Sequence, residues 1–523
     1  MMATSLNYWW VTRPKRKLNS IPEILAAFSN VALSAQWSGD KKIHILFEEE
    51  LERDGLKVVG ERRDNSGSGG RTYQAWLSSL GLIFIQEKSG IPYLTYAGEA
   101  IMEGKSPVEV LKNQVLKYQF PSPFGIKTRV SEKFRIHPFI FLLKLLMDKR
   151  IESLSTEEIG KIVITEATNE SNSCYEYVVN RILSFREKGD ASLPEDFLQT
   201  HTSSHGTINF KNPYKHLLDI ANTIINWLEY TQLIYREDGN IKIASDKYKE
   251  VSEIISQKTT FIDRPEEHEF FQRKYGLDPW HKKDTRNLLK TEPISSRTID
   301  MQRIRQAFIA YSIHKPISSI NSIIVDTIAD KTGTNKNLVE EVLYKEYPHG
   351  AVGGFLSGYY EMAFKGKDEA VDFEIATANI FNDVFGYNAI HLGQTGSKSA
   401  PDVLLVSDSD GYQAIIDNKA YSQYSITGDH HNRMVHNYIE NISNYSTFNL
   451  PIGFFTYIAG GFINTINKQI QSEVAESHVP GSGITVGNII KMVEQHQISP
   501  YSHHELRTIF GLNRQIMLSD IMR

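Results

Sequence analysis

The sequence predicts a multidomain α+β chain that ends in an α/β domain with a mixed sheet. Three observations predict it. The 523 residues exceed what one core holds, so about three or four domains are expected. A helix followed by a hairpin occurs twice in the first half, without repetition of sequence. Past about Gly350 the pattern changes to an αββαβ series.

Composition narrows the class. The chain is 41% apolar and 23% charged, a globular balance. Cys174 is its one cysteine, which excludes an internal disulfide framework and a cysteine-based zinc cluster. The opening "MMATSLNYWWVTRPKRK" has no apolar signal core, and the greasiest stretch, 138–147, is short and contains Lys144. A soluble, cytoplasmic protein with no membrane partner is expected. Charge is unevenly spread. Residues 1–150 hold 22 Lys+Arg and 15 Asp+Glu, a net +7, and the remainder carries −12. A basic first part and an acidic second part suggest different tasks.

The first unit is expected over 1–125. In "SGSGGRTYQAWLSSLGL" a glycine-rich loop leads into a helix with apolar Trp76, Leu77, Leu80 and Leu82. Runs 83–86 and 93–96 then flank Ser89-Gly90. Helix then hairpin is the pattern of a winged helix. The second unit, 126–260, repeats that logic. Its segment 154–164 opens with Ser155 and Glu158 at capping-box spacing. The amphipathic "HLLDIANTIINWLEY" follows, then "QLIYREDGNIKIA", a hairpin turning at Asp238-Gly239. Charges, prolines and turn residues mark 261–335 as a linker with helical content, the helices continuing over 299–346.

The last domain is expected over 336–523. A helix over 372–385, a hairpin, a helix near 431–442 and a strand over 452–458 make its α/β pattern. The hairpin is "APDVLLVSDSDGYQAIIDNKAY". Apolar runs 403–406 and 414–416 flank the turn 407–411, which ends in Asp-Gly. A loop centred between Ser409 and Asp410 sets Asp402 opposite Asp417, and Lys419 on the same face. Opposed like charges destabilise a strand pair, so a cation between them makes chemical sense. Phosphodiester hydrolysis needs such a cation, held by carboxylates and backbone carbonyls, here including the carbonyl of Asn418. Lys419 is suited either to help deprotonate the attacking water or to stabilise charge on the phosphorane.

From "FEIATANIFNDVFGYNAIHLGQTGSKSAPDVLL" through "IIDNKAYSQYSI", the chain resembles the PD-(D/E)xK nucleases. It is most similar to the FokI-type cleavage domain of type IIS restriction endonucleases. Glu374, Phe385-Gly386-Tyr387, His391-Leu392-Gly393, Pro401-Asp402 and Asp417-x-Lys419-Ala420-Tyr421 match in order, and "FTYIAGGF" resembles the family's next core strand. The likeness runs from about Glu361 to the C-terminus. The segment "YLTYAGEAIMEGKSPVEVLKNQVLKYQFPSP" is similar to the AlwI-type recognition region. The resemblance implies that Asp402 and Asp417 are metal ligands, that Lys419 is the catalytic lysine and that Glu374 lies near the metal. It implies Mg²⁺ as cofactor. FokI-type enzymes carry a charged pair on the helix of their nuclease–nuclease contact. The corresponding stretch is "HHNRMVHNYIENI", in which the sequence does not identify that pair.

Other motifs compete. His431 and His436 tempt a histidine-metal reading, but a separation of five fits α-helical metal ligands poorly. "SGSGG" lacks the Lys-Ser/Thr of a phosphate-binding P-loop. Arg13, Lys15, Arg16, Lys17, Arg62, Arg63 and Arg71 are the candidate DNA contacts, since phosphate contacts position a protein and base-edge contacts specify sequence.

The expected protein is therefore a modular type IIS endonuclease of a restriction-modification system. Two winged-helix-like units recognise an asymmetric duplex site, and the tethered domain cuts nearby with Mg²⁺. One catalytic set per chain implies a transient homodimer through the nuclease domain for cutting both strands. Two alternatives remain open from sequence: a strand-specific nicking enzyme or heterodimer subunit, and a winged-helix regulator with an inert nuclease fold.

Overall fold

The structure is a computed structural model. It describes residues 6–33, 35–60, 62, 64–124, 130–204, 206–237, 239–244, 247–288, 296–348, 350–364, 369–393 and 400–522. The chain divides into two compact units, Met1–Ala310 with Ser322–Glu346, and Tyr311–Asn321 with Tyr347–Arg523.

In the first unit, helices Ile21–Ala32, Lys41–Arg53 and Ser68–Ser79 precede the hairpin of β1 (Ile83–Ile85) and β2 (Pro92–Leu94), with Ile83 opposite Leu94. The glycines before Arg71 serve packing. A Cβ on Gly69 would meet a Glu48 carboxylate oxygen at 2.1 Å, and one on Gly70 the His44 carbonyl at 2.4 Å. Their absence of side chains lets helix Ser68–Ser79 lie against Lys41–Arg53. The second helix-and-hairpin set follows helix Pro138–Met147. β3 (Leu154–Ser155) leads into a helix closed by the expected capping box, with Ser155 Oγ accepting from the Glu158 N–H at 3.1 Å and Glu158 accepting from the Ser155 N–H at 2.7 Å. Helix Lys215–Tyr230 then precedes β4 (Ile234–Glu237) and β5 (Asn240–Ile243). Glu237 pairs with Asn240, and the sheet order is β3-β5-β4. Residue 238 itself lies outside the described residues.

The two sets share one core. The Trp9 indole donates to the Ala167 carbonyl at 2.7 Å, and Trp227 stacks on Phe139 at 6.1 Å between centroids. Part of the expected linker belongs to this core as well. Helix His268–Tyr275 inserts Phe271 and Tyr275, and Gln272 Nε2 donates to the carbonyls of Ser78 and Ile83 at 2.7 and 2.9 Å. A dense run of charges around three anchoring side chains hid this docking from sequence. Among the described residues no helix is long and apolar enough to cross a membrane.

The second unit is built on a six-stranded mixed sheet of order β11-β10-β9-β8-β7-β6. β6 (Asn388–His391) and β8 (Tyr412–Lys419) each run antiparallel to β7 (Val403–Ser407), which lies between them. β9 (Ile452–Ala459), β10 (Gly481–Thr485) and β11 (Arg514–Gln515) continue from β8 in parallel. Alternation along β8 sorts the faces. Ala414 and Ile416 pack with Phe373, Ile380 and Phe381 of helix Ala370–Asp383. Ile415 faces the other way, toward Met434, Tyr438, Ile466 and Ile470. A sheet covered on both faces has apolar central strands, and the matching strands here are buried along nearly their whole length.

Candidate active site

The β7–β8 register runs from Ser407 opposite Tyr412 to Val403 opposite Ile416. One step further sets Asp402 opposite Asp417, as the turn chemistry predicts. At that step the ladder opens. The Asp402 carboxylate, through Oδ2, accepts the backbone N–H of Asn418 at 2.6 Å. Asp417 is 3% exposed, and its Oδ2 lies 2.7 Å from Lys419 Nζ. Three charges thus gather at the end of two buried strands.

The electrostatics follow from that crowding. Burial pushes the Asp402 carboxyl well above the usual range, and the Asp417 charge pushes it further, against the pull of Lys419. Glu374 adds to the upward push. Burial works against the Lys419 ammonium, but Asp417 and Asp402 more than offset it and hold the lysine protonated. The residues suit a hard cation. Two carboxyl groups that repel each other stand together, with the Lys419 ammonium against one of them. The Asn418 side chain donates to Thr377 Oγ1 at 2.7 Å, while its Oδ1 is buried without a hydrogen-bond partner. Among the described residues no group of three His, Cys, Asp or Glu gathers as a metal-ligand set.

Glu374, on helix Ala370–Asp383, faces His391 of β6, with His391 Nε2 2.9 Å from Glu374 Oε2. Sequence reasoning missed Glu473. This carboxyl is fully buried on helix Ile466–Ser477, accepts the Tyr457 hydroxyl at 2.8 Å, and is pushed up to about 8, chiefly by burial. A signal was present. Ile466, Ile470 and Glu473 occupy one helical stripe, so an acid stands at an apolar position.

The histidines prove to share a face. Residues Arg433–Ile439 form a π-helix, whose wider turn brings residues five apart into line. His431 Nε2 lies 2.9 Å and His436 Nε2 3.3 Å from the two carboxylate oxygens of Glu476. On the preceding turn Asp429 and Arg433 form an ion pair four residues apart, at 2.6 Å.

The N-terminal basic candidates are largely engaged within the chain. Arg13 lies over the Trp10 ring at 4.8 Å and is mostly buried. Arg16 pairs with Asp219 at 2.8 Å. Arg62 donates to both carboxylate oxygens of Glu52, the closest at 2.7 Å, and Arg71 donates to the Ser66 carbonyl at 2.5 Å. Burial holds Lys15 below the usual lysine range, against the pull of Glu23, and Lys17 is exposed. Arg63 lies outside the described residues.

With this geometry in view, the likenesses to known proteins fall into place. Residues 333–517 match the family model described as FokI, cleavage domain, and residues 108–252 that of the type II restriction endonuclease HgaI, N-terminal domain. A curated relative, the type II restriction enzyme HgaI of Avibacterium volantium, is 35% identical over 82 residues, 15% of this chain and 16% of that protein. The chain thus aligns with less than a fifth of that relative's length. Restriction endonuclease FokI aligns over 98% of this chain and 100% of its own at 15% identity, with a TM-score of 0.29. The BpuJ1 endonuclease binding domain, solved with modified DNA, aligns over 51% of this chain and 97% of its own at 16% identity, with a TM-score of 0.37. Residues 333–517, which include the α/β mixed sheet, are thus similar to a FokI cleavage domain, and residues 108–252 to the N-terminal domain of the type II restriction endonuclease HgaI.

Proposed function

We propose that this protein is a Mg²⁺-dependent type IIS deoxyribonuclease, which binds an asymmetric duplex site through its N-terminal unit and cuts a short distance outside it. The observation that carries the reading is the intact Asp402, Asp417 and Lys419 set inside a FokI-type domain. That intact set also speaks against an inert regulator.

Asp402, Asp417 and the Asn418 carbonyl are the groups to hold the cation. When bound, the cation polarises the scissile phosphate and acidifies water. The chain's own residues supply the rest. Lys419, kept as an ammonium, suits charge stabilisation on the phosphorane better than proton abstraction. Asp402→Ala, Asp417→Ala and Lys419→Ala are each expected to lower plasmid cleavage by on the order of 10³-fold or more, with site-specific binding changed less than about twofold. Cleavage at the wild-type rate by any of them would reject the assignment.

One catalytic set per chain attacks one phosphate, so cutting both strands calls for a second copy in the opposite orientation. Asp429 and Arg433 are the charged pair available for that contact. Asp429→Arg should leave nicking in place and reduce linear product by about tenfold or more, and mixing it with Arg433→Asp should restore linear product. Open-circle product alone, at every wild-type concentration, would instead establish a strand-specific nickase.

A further inference from the structure

The motif His391-Leu392-Gly393 takes no part in the scheme above, yet each of its residues meets the site. The Leu392 N–H donates to the Asp402 backbone carbonyl at 2.8 Å. His391 Nε2 lies 2.9 Å from Glu374 Oε2. At Gly393 a Cβ would stand 1.9 Å from that same Glu374 oxygen and 3.0 Å from His391 Nε2. The missing side chain leaves a niche that one carboxylate oxygen fills, and the imidazole borders it. Both side chains are enclosed, Glu374 at 13% exposure and His391 at 15%. A carboxylate so enclosed needs a donor, and the imidazole supplies it.

We propose that His391 is a positioning residue for Glu374. It holds the carboxylate in the niche shaped by Gly393, at a fixed place beside Asp402. The proposal rests on the reading of Glu374 as part of the catalytic site. Held by one oxygen, Glu374 keeps its other oxygen to accept a hydrogen bond from the attacking water. Its position, rather than the charge of His391, then sets the rate. A displacement of about an ångström in such a group costs on the order of 10²-fold in rate.

The experiment uses the full chain and a single-site plasmid under single-turnover conditions with Mg²⁺. Four variants are compared: His391→Ala, His391→Gln, Glu374→Gln and the double variant His391→Ala/Glu374→Gln. His391→Ala should cut about 10- to 100-fold more slowly, with unchanged DNA affinity and a cooperative melt that still begins well above the assay temperature. His391→Gln, whose amide places a donor near the lost Nε2, should recover about a tenfold part of that loss. The double variant should be no slower than Glu374→Gln, because His391 acts only through that carboxylate. Gly393→Ala gives a second route, since it keeps the imidazole, fills the niche and should slow the cut similarly. A wild-type rate for His391→Ala overturns the proposal, as do fully additive losses in the double variant. A wild-type rate for Glu374→Gln also overturns it, while leaving the nuclease reading intact. If the wild-type chain cuts no duplex DNA with Mg²⁺, the nuclease reading itself fails and the proposal falls with it.

Discussion

The two units treat charge in opposite ways. In the N-terminal unit most buried or half-buried acids meet a cation. Glu158 meets Arg186 at 2.6 Å, and Glu166 meets Arg181 at 3.0 Å. Burial alone would raise Glu250, but Lys247 and Lys112 pull it down to about 2. Glu99 is an exception, raised by burial despite Arg286. The C-terminal unit also has a matched acid, Asp520 held down by Arg514, but two of its buried acids are pushed up, Asp402 by burial and Asp417, Glu473 by burial to about 8. Matched charge serves the fold. Crowded like charge disfavours it, and persists where a ligand or a reaction uses it.

The largest effect expected from this contrast is a difference of sign. Glu158→Ala removes a cap and strands Arg186 among the Ile151 and Ser153 carbonyls, so the N-terminal unit should lose about 2–4 kcal/mol. Asp402→Asn removes one of two opposed charges and keeps an oxygen for the Asn418 N–H. Without divalent cations it should stabilise the C-terminal unit by about 1 kcal/mol or more. Chemical denaturation of the two variants at neutral pH checks both signs. Destabilisation by Asp402→Asn would mean that Lys419 already balances the pair.

A second effect depends on pH. Glu473 in the folded chain titrates at about 8 instead of 4.5. The folded state therefore holds a proton that the unfolded state releases. That stabilisation is complete below about pH 4, shrinks as pH rises, and is gone above about 8, by at most about 1.4 kcal/mol per pH unit within the window. Glu250 has the opposite sign, because its depressed value gives stability that is present above about pH 4.5 and lost as pH falls toward 2. Hydrogen exchange in helix Ile466–Ser477 should accelerate between pH 5 and 8 beyond the intrinsic chemical rate, and Glu473→Gln should remove that excess. An unchanged profile in Glu473→Gln would rule out the buried acid as its source.

How much was legible follows from the same physics. The β7–β8 register was readable because turn chemistry and strand alternation are local, and together they fix which side chains face each other. The Ser155–Glu158 box was readable for the same reason. β10 was not. Its "GSGIT" has low strand propensity, yet a Cβ on Gly481 would meet the Phe455 ring at 2.1 Å, so glycine stands there to admit an aromatic face from the next strand. The pairing of His431 and His436 on Glu476 was hidden by assuming a regular helix, where the chain widens to a π-turn. The docking of His268–Tyr275 depends on carbonyls of Ser78 and Ile83, far away in sequence. What was missed is in each case set by a partner that is distant in sequence or by an irregular backbone.

The smallest expected effect tests whether the matched charges of the N-terminal unit are also DNA contacts. Arg62 is spent on Glu52, with both carboxylate oxygens engaged. A guanidinium held this way has little charge to give to a phosphate. Arg62→Ala should therefore lower stability only slightly, since Glu52 retains Lys57 at 3.1 Å as a partner. Duplex affinity should hardly change, and neither should its dependence on salt. A lysine or arginine that does neutralise a phosphate contributes about 0.9 to the slope of log affinity against log salt, so its removal flattens that slope by about this amount. Binding measured between about 50 and 200 mM salt resolves the difference. A slope lower by about 0.9 in Arg62→Ala would mean that Arg62 leaves Glu52 for the backbone on binding, and the ion pair would then be a resting state of the recognition surface rather than part of its frame.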